Sequence, residues 1–144
     1  MSMPTFSKVS HISFSVTDAE ASARWWANLL DLTELDRVGG DGWRAILLIH
    51  PPSRTIVEFQ QHDANQGEAF DPRRTGFDHM GFKVDTRADL DEWLTRFEQL
   101  GVAHSPIAER EYGAVLTFKD PDGIQFEMFL RADHPQNRRN RRQS

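Results

Sequence analysis

Four residues of this 144-residue chain have the types and placing that metal chemistry needs: His11, Glu58, His79 and Glu127. Each falls in a short stretch that alternates apolar and polar residues, the pattern of a strand with one buried face. In 9–16, Ser10, Ile12, Phe14 and Val16 take one face and His11, Ser13 and Ser15 the other. In 77–84, Met80, Phe82 and Val84 oppose His79, Gly81 and Lys83. Val57 and Phe59 alternate with Ile56, Glu58, Gln60 and His62, and Ile124, Phe126, Met128 and Leu130 alternate with Gln125, Glu127 and Phe129. Both glutamates thus sit mid-strand between apolar neighbours, where an ionised carboxylate is costly unless a cation compensates it. Taken singly, a strand His is ordinarily a hydrogen-bonded core residue and a strand Glu a solvated edge residue. The case for a metal rests on all four occurring together. Two imidazole nitrogens and two carboxylate oxygens make a set suited to one divalent ion (Zn²⁺, Ni²⁺, Co²⁺, Mn²⁺ or Fe²⁺), with room for water or a substrate oxygen. The chain has no Cys, which excludes disulfides, thiolate zinc sites and Cys nucleophiles.

The four residues are related by an internal repeat. A shift of 68 residues pairs His11 with His79, Phe14 with Phe82, Val16 with Val84, Trp25 with Trp93, Leu29 with Phe97 and Leu32 with Leu100. A shift of 69 pairs Glu58 with Glu127. If the two halves pair about a pseudo-twofold axis, the two His and two Glu converge.

Each half reads as strand, helix and three strands, a βαβββ module in an α+β fold. The first module is predicted over 8–62 and the second over 77–131. A polar Pro/Gly-containing linker, 63–76, joins them, and a basic tail, 132–144, follows. In the first module the strand 9–16 leads to a helix over Asp18 to Asp31, with capping-box spacing between Thr17 and Glu20. Strands are expected at 33–38, 43–50 and 54–62, separated by turns at Gly39-Gly40-Asp41-Gly42 and Pro51-Pro52-Ser53. In the second module the strand 77–84 precedes a helix from Arg87 to Leu100. There Leu90, Trp93, Leu94 and Phe97 form one apolar face, and Gly101 is the stop. Strands are expected at 102–108, 112–119 and 123–130, the last two joined by the turn residues Asp120-Pro121-Asp122-Gly123. Trp25 and Trp93 are expected in the core, His104 solvated on an edge strand, and His50 in a loop. His62 shares the face of Glu58 at a polar strand end.

Hydrophobic residues are 38% of the chain, with 10 Phe and 4 Trp, enough for a core and too aromatic for a disordered chain. The net charge is −5. Arg131, Arg138, Arg139, Arg141 and Arg142 stand against Asp133 at the C-terminal end, so the remainder is more acidic still. An acidic body argues against nucleic acid as a partner, and the tail reads as a frayed end. No apolar run reaches the roughly 20 residues of a membrane span, and no secretory pattern opens the chain. A cytoplasmic protein without a membrane partner is expected. The glycines 39, 40 and 42 precede a strand, so they make no nucleotide-binding loop. No nucleophile elbow is present.

The doubled strand–helix–three-strand pattern, a His at the start of each half and the run DPDGIQFEMF at 120–129 resemble the vicinal oxygen chelate superfamily over about residues 8 to 131. That superfamily includes glyoxalase I, extradiol dioxygenases, methylmalonyl-CoA epimerase, and fosfomycin and bleomycin resistance proteins. The resemblance implies paired βαβββ modules, each curling a mixed sheet around a metal-containing cavity. There a divalent ion chelates neighbouring oxygens of a small-molecule substrate. It also implies module pairing within one chain or between two, and a homodimer is expected. Glyoxalase I uses His, Glu, His and Glu as ligands, an order that His11, Glu58, His79 and Glu127 match. Extradiol dioxygenases use two His and one Glu, without the first Glu. Methylmalonyl-CoA epimerase typically carries Gln where Glu58 stands, and bleomycin-binding members have no metal ligands. Ser15 and His62 occupy the positions at which bacterial glyoxalase I has an Arg and an Asn that help bind glutathione.

The resemblance therefore implies a glyoxalase-like, metal-dependent lyase or isomerase facing a substrate other than a glutathione adduct. The metal would polarise a carbonyl and stabilise an enediolate-like anion. Glu58 or Glu127 would act as the catalytic base, and the sequence does not choose between them. Two alternatives stand beside this reading. One is an Fe²⁺ dioxygenase using His11, His79 and Glu127. The other is a resistance protein that sequesters a small molecule.

Overall fold

The computed structural model describes residues 2–132. Of the expected tail, residues 133–144 lie outside the described residues. The chain divides into two compact units, Met1–Glu68 and Ala69–Ser144.

The first unit runs β1 (Ile12–Ser15), α1 (Ala19–Leu30), β2 (Thr33–Gly40), β3 (Trp43–His50) and β4 (Thr55–His62). Its sheet has the order β1-β4-β3-β2. β1 lies parallel to β4, and the other pairs are antiparallel. A β-bulge falls between Glu34 and Asp36. The second unit repeats this plan with β5 (Met80–Lys83), α2 (Arg87–Leu100), β6 (Ala108–Arg110), β7 (Gly113–Lys119) and β8 (Gln125–Arg131). The order is β5-β8-β7-β6, again with the first strand parallel to the last. The expected α+β architecture is thus observed: two four-stranded mixed sheets, each with one helix, neither closed on itself.

Local chemistry sets these elements. α1 starts at Asp18, whose carboxylate accepts from the Ala21 backbone N–H at 3.0 Å. The cap is therefore Asp18 rather than Thr17, one residue later than the capping-box spacing predicts. Its carboxylate reaches a free amide of the first turn and also complements the helix dipole. α2 starts at Thr86, which accepts from Asp89 N–H at 3.1 Å, and stops at Gly101 with φ 66°. α1 buries Ala19, Ser22, Ala23, Trp26 and Leu29, a helical stripe. Trp26 lies 5.8 Å from Phe59, and Phe14 lies 6.1 Å from the same ring. In the second unit Phe97 of α2 packs 4.7 Å from Phe118, which stacks 5.7 Å from Phe126. The exposed strand β2 is tied to α1 by Arg37, which donates to Glu20 and holds that carboxyl below its usual value.

Several sequence expectations change, and the strands expected at 9–16 and 77–84 are only Ile12–Ser15 and Met80–Lys83, so His11 and His79 stand just ahead of them. Trp26, 1% exposed, is the core tryptophan, whereas Trp25 is half-buried with its ring edge-on to Trp26. Trp93 is likewise half-buried. Gly39 and Gly40 continue β2, paired with Arg44 and Trp43, so Asp41 and Gly42 alone turn the chain. The strand expected at 102–108 is only Ala108–Arg110, because Pro106 has no N–H for a ladder. His104 makes one isolated bridge to Phe118, is half-buried, and lies with Nδ1 2.7 Å from the Ser105 carbonyl oxygen. The turn before β8 holds as expected: Asp120 Oδ1 accepts from Asp122 N–H at 3.0 Å and Ile124 N–H at 2.8 Å. No helix among the described residues is long and apolar enough to cross a membrane.

Asp18→Ala removes the side chain that accepts from Ala21 N–H at the start of α1, leaving the Gln61 oxygen on Ala19 N–H and the buried stripe intact. Such a change costs about 1 kcal/mol of stability. Urea denaturation is expected to show a lower midpoint at unchanged slope. An unaltered midpoint would show that the cap is not stabilising.

Candidate metal centre

In the second unit β5 and β8 run side by side, with Gly81 opposite Glu127 and Lys83 opposite Phe129. Alternation along the strands puts Gly81 and Lys83 on one face with Glu127, Phe129 and Arg131, while Phe82, Phe126 and Met128 face the core. His79 stands one residue ahead of β5, and its ring turns onto the same face. Nε2 lies 3.6 Å from Glu127 Oε1, and Nδ1 lies 2.6 Å from Asp78 Oδ1. An ionised carboxylate has no hydrogen to give, so Nδ1–H is the donor to Asp78. In the neutral ring this leaves the Nε2 lone pair facing the Glu127 oxygen. Two electron-rich atoms at that separation can share a cation, either a proton or a metal. A carboxylate that fixes the far nitrogen of an imidazole is the arrangement metal-binding histidines use. Gly81 leaves the space: a Cβ there would come 3.3 Å from Glu127 Oε1. His79, Lys83, Tyr112, Glu127, Phe129 and Arg131 line a cavity of about 580 Å³.

The first unit presents the same pairing with different chemistry. Ser13 of β1 is opposite Glu58 of β4, where the second unit has Gly81 and Glu127. Ser13 Oγ donates to Glu58 Oε1 at 3.0 Å. Glu58 is only 9% exposed, between Val57 and Phe59, which are more deeply buried. A carboxylate in that position retains acceptor sites beyond the one Ser13 uses. His11 stands one residue ahead of β1, as His79 does ahead of β5. It is exposed, with Nδ1 2.9 Å from Ser10 Oγ.

The structure therefore brings His79 and Glu127 together and gives Glu58 a partner in Ser13. Within each unit, no three His, Asp or Glu side chains among the described residues are gathered as a metal cluster. The donors present in the second unit nevertheless fit a divalent ion. One neutral nitrogen with a fixed tautomer and one carboxylate share a face beside a cavity. Other candidates are placed elsewhere. His50, expected in a loop, is the last residue of β3 and pairs with Thr55; its Nδ1 lies 2.6 Å from Ser53 Oγ of the following turn. His62 Nε2 lies 3.1 Å from Gln60 Nε2 at the exposed end of β4. Arg44 is ion-paired with Asp63 at 3.4 Å, and Trp43 is half-buried at the start of β3.

Two residues gain roles that residue type alone does not reveal. Asp78 backs His79, and its signal is adjacency to a candidate ligand. Ser13 holds Glu58, and its signal is the polar strand face it shares with His11. Arg131, at the end of β8, joins the face of Glu127 by the same alternation.

Residues 8–128 match the model of the Glyoxalase/Bleomycin resistance protein/Dioxygenase superfamily. A glyoxylase/bleomycin resistance protein/dioxygenase domain from Frankia sp. EAN1pec is 34% identical, with a TM-score of 0.82. That similarity covers 89% of this chain and 100% of the other. The fosfomycin resistance protein FosX of Listeria monocytogenes, in complex with Mn(II) and sulfate, shares the fold at 20% identity and a TM-score of 0.69. It is matched over 94% of this chain and 99% of that one. In Bacillus subtilis (strain 168), the protein named "Putative ring-cleaving dioxygenase MhqA" is 27% identical over 126 residues. These make up 86% of this chain but 40% of MhqA, so the chain spans less than half of that relative's length. With the family model matched across both units and their shared topology, this chain belongs to the glyoxalase/bleomycin resistance protein/dioxygenase superfamily.

Proposed function

We propose that the protein is a metal-dependent enzyme, a glyoxalase-like lyase or isomerase acting on a small carbonyl or vicinal-oxygen substrate. The observation that carries this reading is the His79–Glu127 pair, with Nε2 and Oε1 3.6 Å apart and Asp78 on the other ring nitrogen. His11 and Glu58 hold the equivalent places in the first unit, and we assign all four as ligands of one divalent ion, within one chain or across two copies. The ion would supply a Lewis acid that polarises a substrate oxygen, typically worth several kcal/mol. The chain's own residues do the rest. Asp78 keeps the His79 proton on Nδ1, so Nε2 remains a ligand. Ser13 orients Glu58, and a glutamate oxygen within hydrogen-bond reach of the substrate takes up and returns a proton. Phe129 and Tyr112, with ring centroids 6.0 Å apart, give the cavity an aromatic wall beside the reacting atoms.

A second reading is an Fe²⁺-dependent ring-cleaving dioxygenase that uses His11, His79 and Glu127. It is favoured by the similarity to MhqA over 86% of this chain and by the engagement of Glu58 with Ser13. Steady-state assays separate the two. Ni²⁺- or Zn²⁺-loaded protein should be active without oxygen in the first case, and oxygen uptake only with Fe²⁺ would favour the second. Because Ser15 and His62 replace the glutathione-contacting types, poor turnover of the glutathione hemithioacetal of methylglyoxal is expected. Efficient, saturable conversion would make the protein a true glyoxalase I.

The proposal extends to assembly as a homodimer. Light scattering at micromolar concentration should give twice the 16.6 kDa mass of the chain, and a stable monomer would contradict it.

A further inference from the structure

We infer that the substrate of this centre is an anion: a flat molecule with its adjacent oxygens at one end and a carboxylate or comparable anionic group at the other. The far end is held by Arg131 and Lys83 across the Phe129 ring. The inference rests on the metal-dependent reading above.

The lining of the second-unit cavity is ordered along the strands. Side chains two residues apart on one strand face are separated by roughly 7 Å. Phe129 therefore follows Glu127 by roughly 7 Å, and Arg131 follows it by roughly 13 Å. Lys83 is the cross-strand partner of Phe129 and sits at its level. A molecule engaged at Glu127 and His79 thus meets an aromatic face first and cationic groups beyond it. The Arg131 guanidinium carbon lies 5.1 Å from the Phe129 ring centroid. That contact positions the group without a carboxylate and leaves its planar fork of donors for an anionic ligand. Lys83 Nζ is 3.5 Å from Asp85 Oδ1, but both side chains are highly exposed, so this pair is screened and exchangeable. Tyr112 lies beside Phe129 with the rings tilted by 32°, which extends the aromatic wall at this level.

Charge points the same way. The chain as a whole is acidic, with a net charge of −5, yet among the described residues the cavity lining holds Lys83 and Arg131 against the carboxylate of Glu127, with Asp78 behind His79 and Asp85 beside Lys83. With a divalent ion on Glu127 and His79, the cavity becomes a positive site in a negative protein. Such a site concentrates anions and repels cations.

Two catechols of similar size test this in the full-length chain: 3,4-dihydroxyphenylacetate, which is anionic, and 4-methylcatechol, which is neutral. The protein is loaded with redox-inert Zn²⁺ so that binding, read by calorimetry, is separated from turnover. The acid is expected to bind at least about tenfold more tightly, consistent with a charge-assisted contact. Arg131→Gln should erase most of that preference while leaving 4-methylcatechol affinity and zinc stoichiometry unchanged. Lys83→Gln should reduce the preference less. Equal affinities for the two probes, no binding of the acid, or an equal loss of both probes in Arg131→Gln would overturn the inference. Zinc stoichiometry distinguishes this from failure of the underlying reading. If the protein takes up no stoichiometric zinc yet binds the acid with an Arg131-dependent preference, the anion subsite stands and the metal-dependent reading falls.

Discussion

His79→Ala is expected to abolish stoichiometric binding of a divalent ion. Nε2 of this residue faces Glu127 Oε1 at 3.6 Å, and its tautomer is fixed by Asp78. Alanine removes this nitrogen donor and leaves Glu127 as the one ligand the second unit supplies, a poorer site for a transition metal. Loss of an orienting partner such as Asp78 typically weakens a site about 10–100-fold, and loss of the ligand itself should exceed that. The substitution is not expected to unfold the chain. His79 is half-exposed and stands ahead of β5, outside the core of Phe97, Phe118 and Phe126. Atomic-emission analysis after dialysis reads the metal content, and circular dichroism reads the fold. An unchanged metal content in folded His79→Ala would show that the site is wrongly assigned.

The second large effect is on turnover. Glu58→Gln and Glu127→Gln preserve side-chain size and one ligating oxygen but remove the basic carboxylate. Each is expected to retain some metal while losing activity by about 10²–10⁴-fold where that residue is the base. The surroundings of the two glutamates differ, so their variants should differ. Glu127 faces the His79 nitrogen across a space kept clear by Gly81. Glu58 is buried and held by Ser13. Glu127→Gln should therefore weaken metal binding more than Glu58→Gln. Full activity in Glu58→Gln would favour the three-ligand dioxygenase reading over the four-ligand one. Metal affinity and initial rates measured on the same preparations separate these outcomes.

Much of the architecture is legible because each half obeys simple periodicities. The 68-residue shift that pairs His11 with His79 reappears as two sheets of identical strand order. The apolar spacing from Leu90 to Phe97 and the stop at Gly101 locate α2 at Arg87–Leu100 as predicted. What the sequence conceals are choices between neighbouring residues of similar type. Trp25 and Trp26 differ by one helical step, about 100° of rotation, and only packing against Phe59 selects Trp26. Thr17 and Asp18 are both good caps, and the backbone geometry picks the second. The candidate site is legible by type and strand phase. The partners that tune it are harder to see, because a Ser or an Asp in a polar stretch has many possible uses. Ser13 and Asp78 emerge once parallel pairing puts Ser13 across from Glu58 and the ring of His79 turns toward Glu127. The asymmetry between Ser13 and Gly81, at equivalent positions, likewise acquires meaning only through the side chains opposite them.

The most direct test of the central claim is metal stoichiometry measured by titration. Metal-stripped full-length protein is titrated with Mn²⁺, Co²⁺, Ni²⁺ and Zn²⁺ in a calorimeter, beside His11→Ala, Glu58→Ala, His79→Ala and Glu127→Ala. The unaltered protein is expected to bind one saturable equivalent per chain, with a marked loss of affinity in every one of the four variants. An unaltered protein that takes up no stoichiometric ion, or that binds one with undiminished affinity in all four variants, would contradict it.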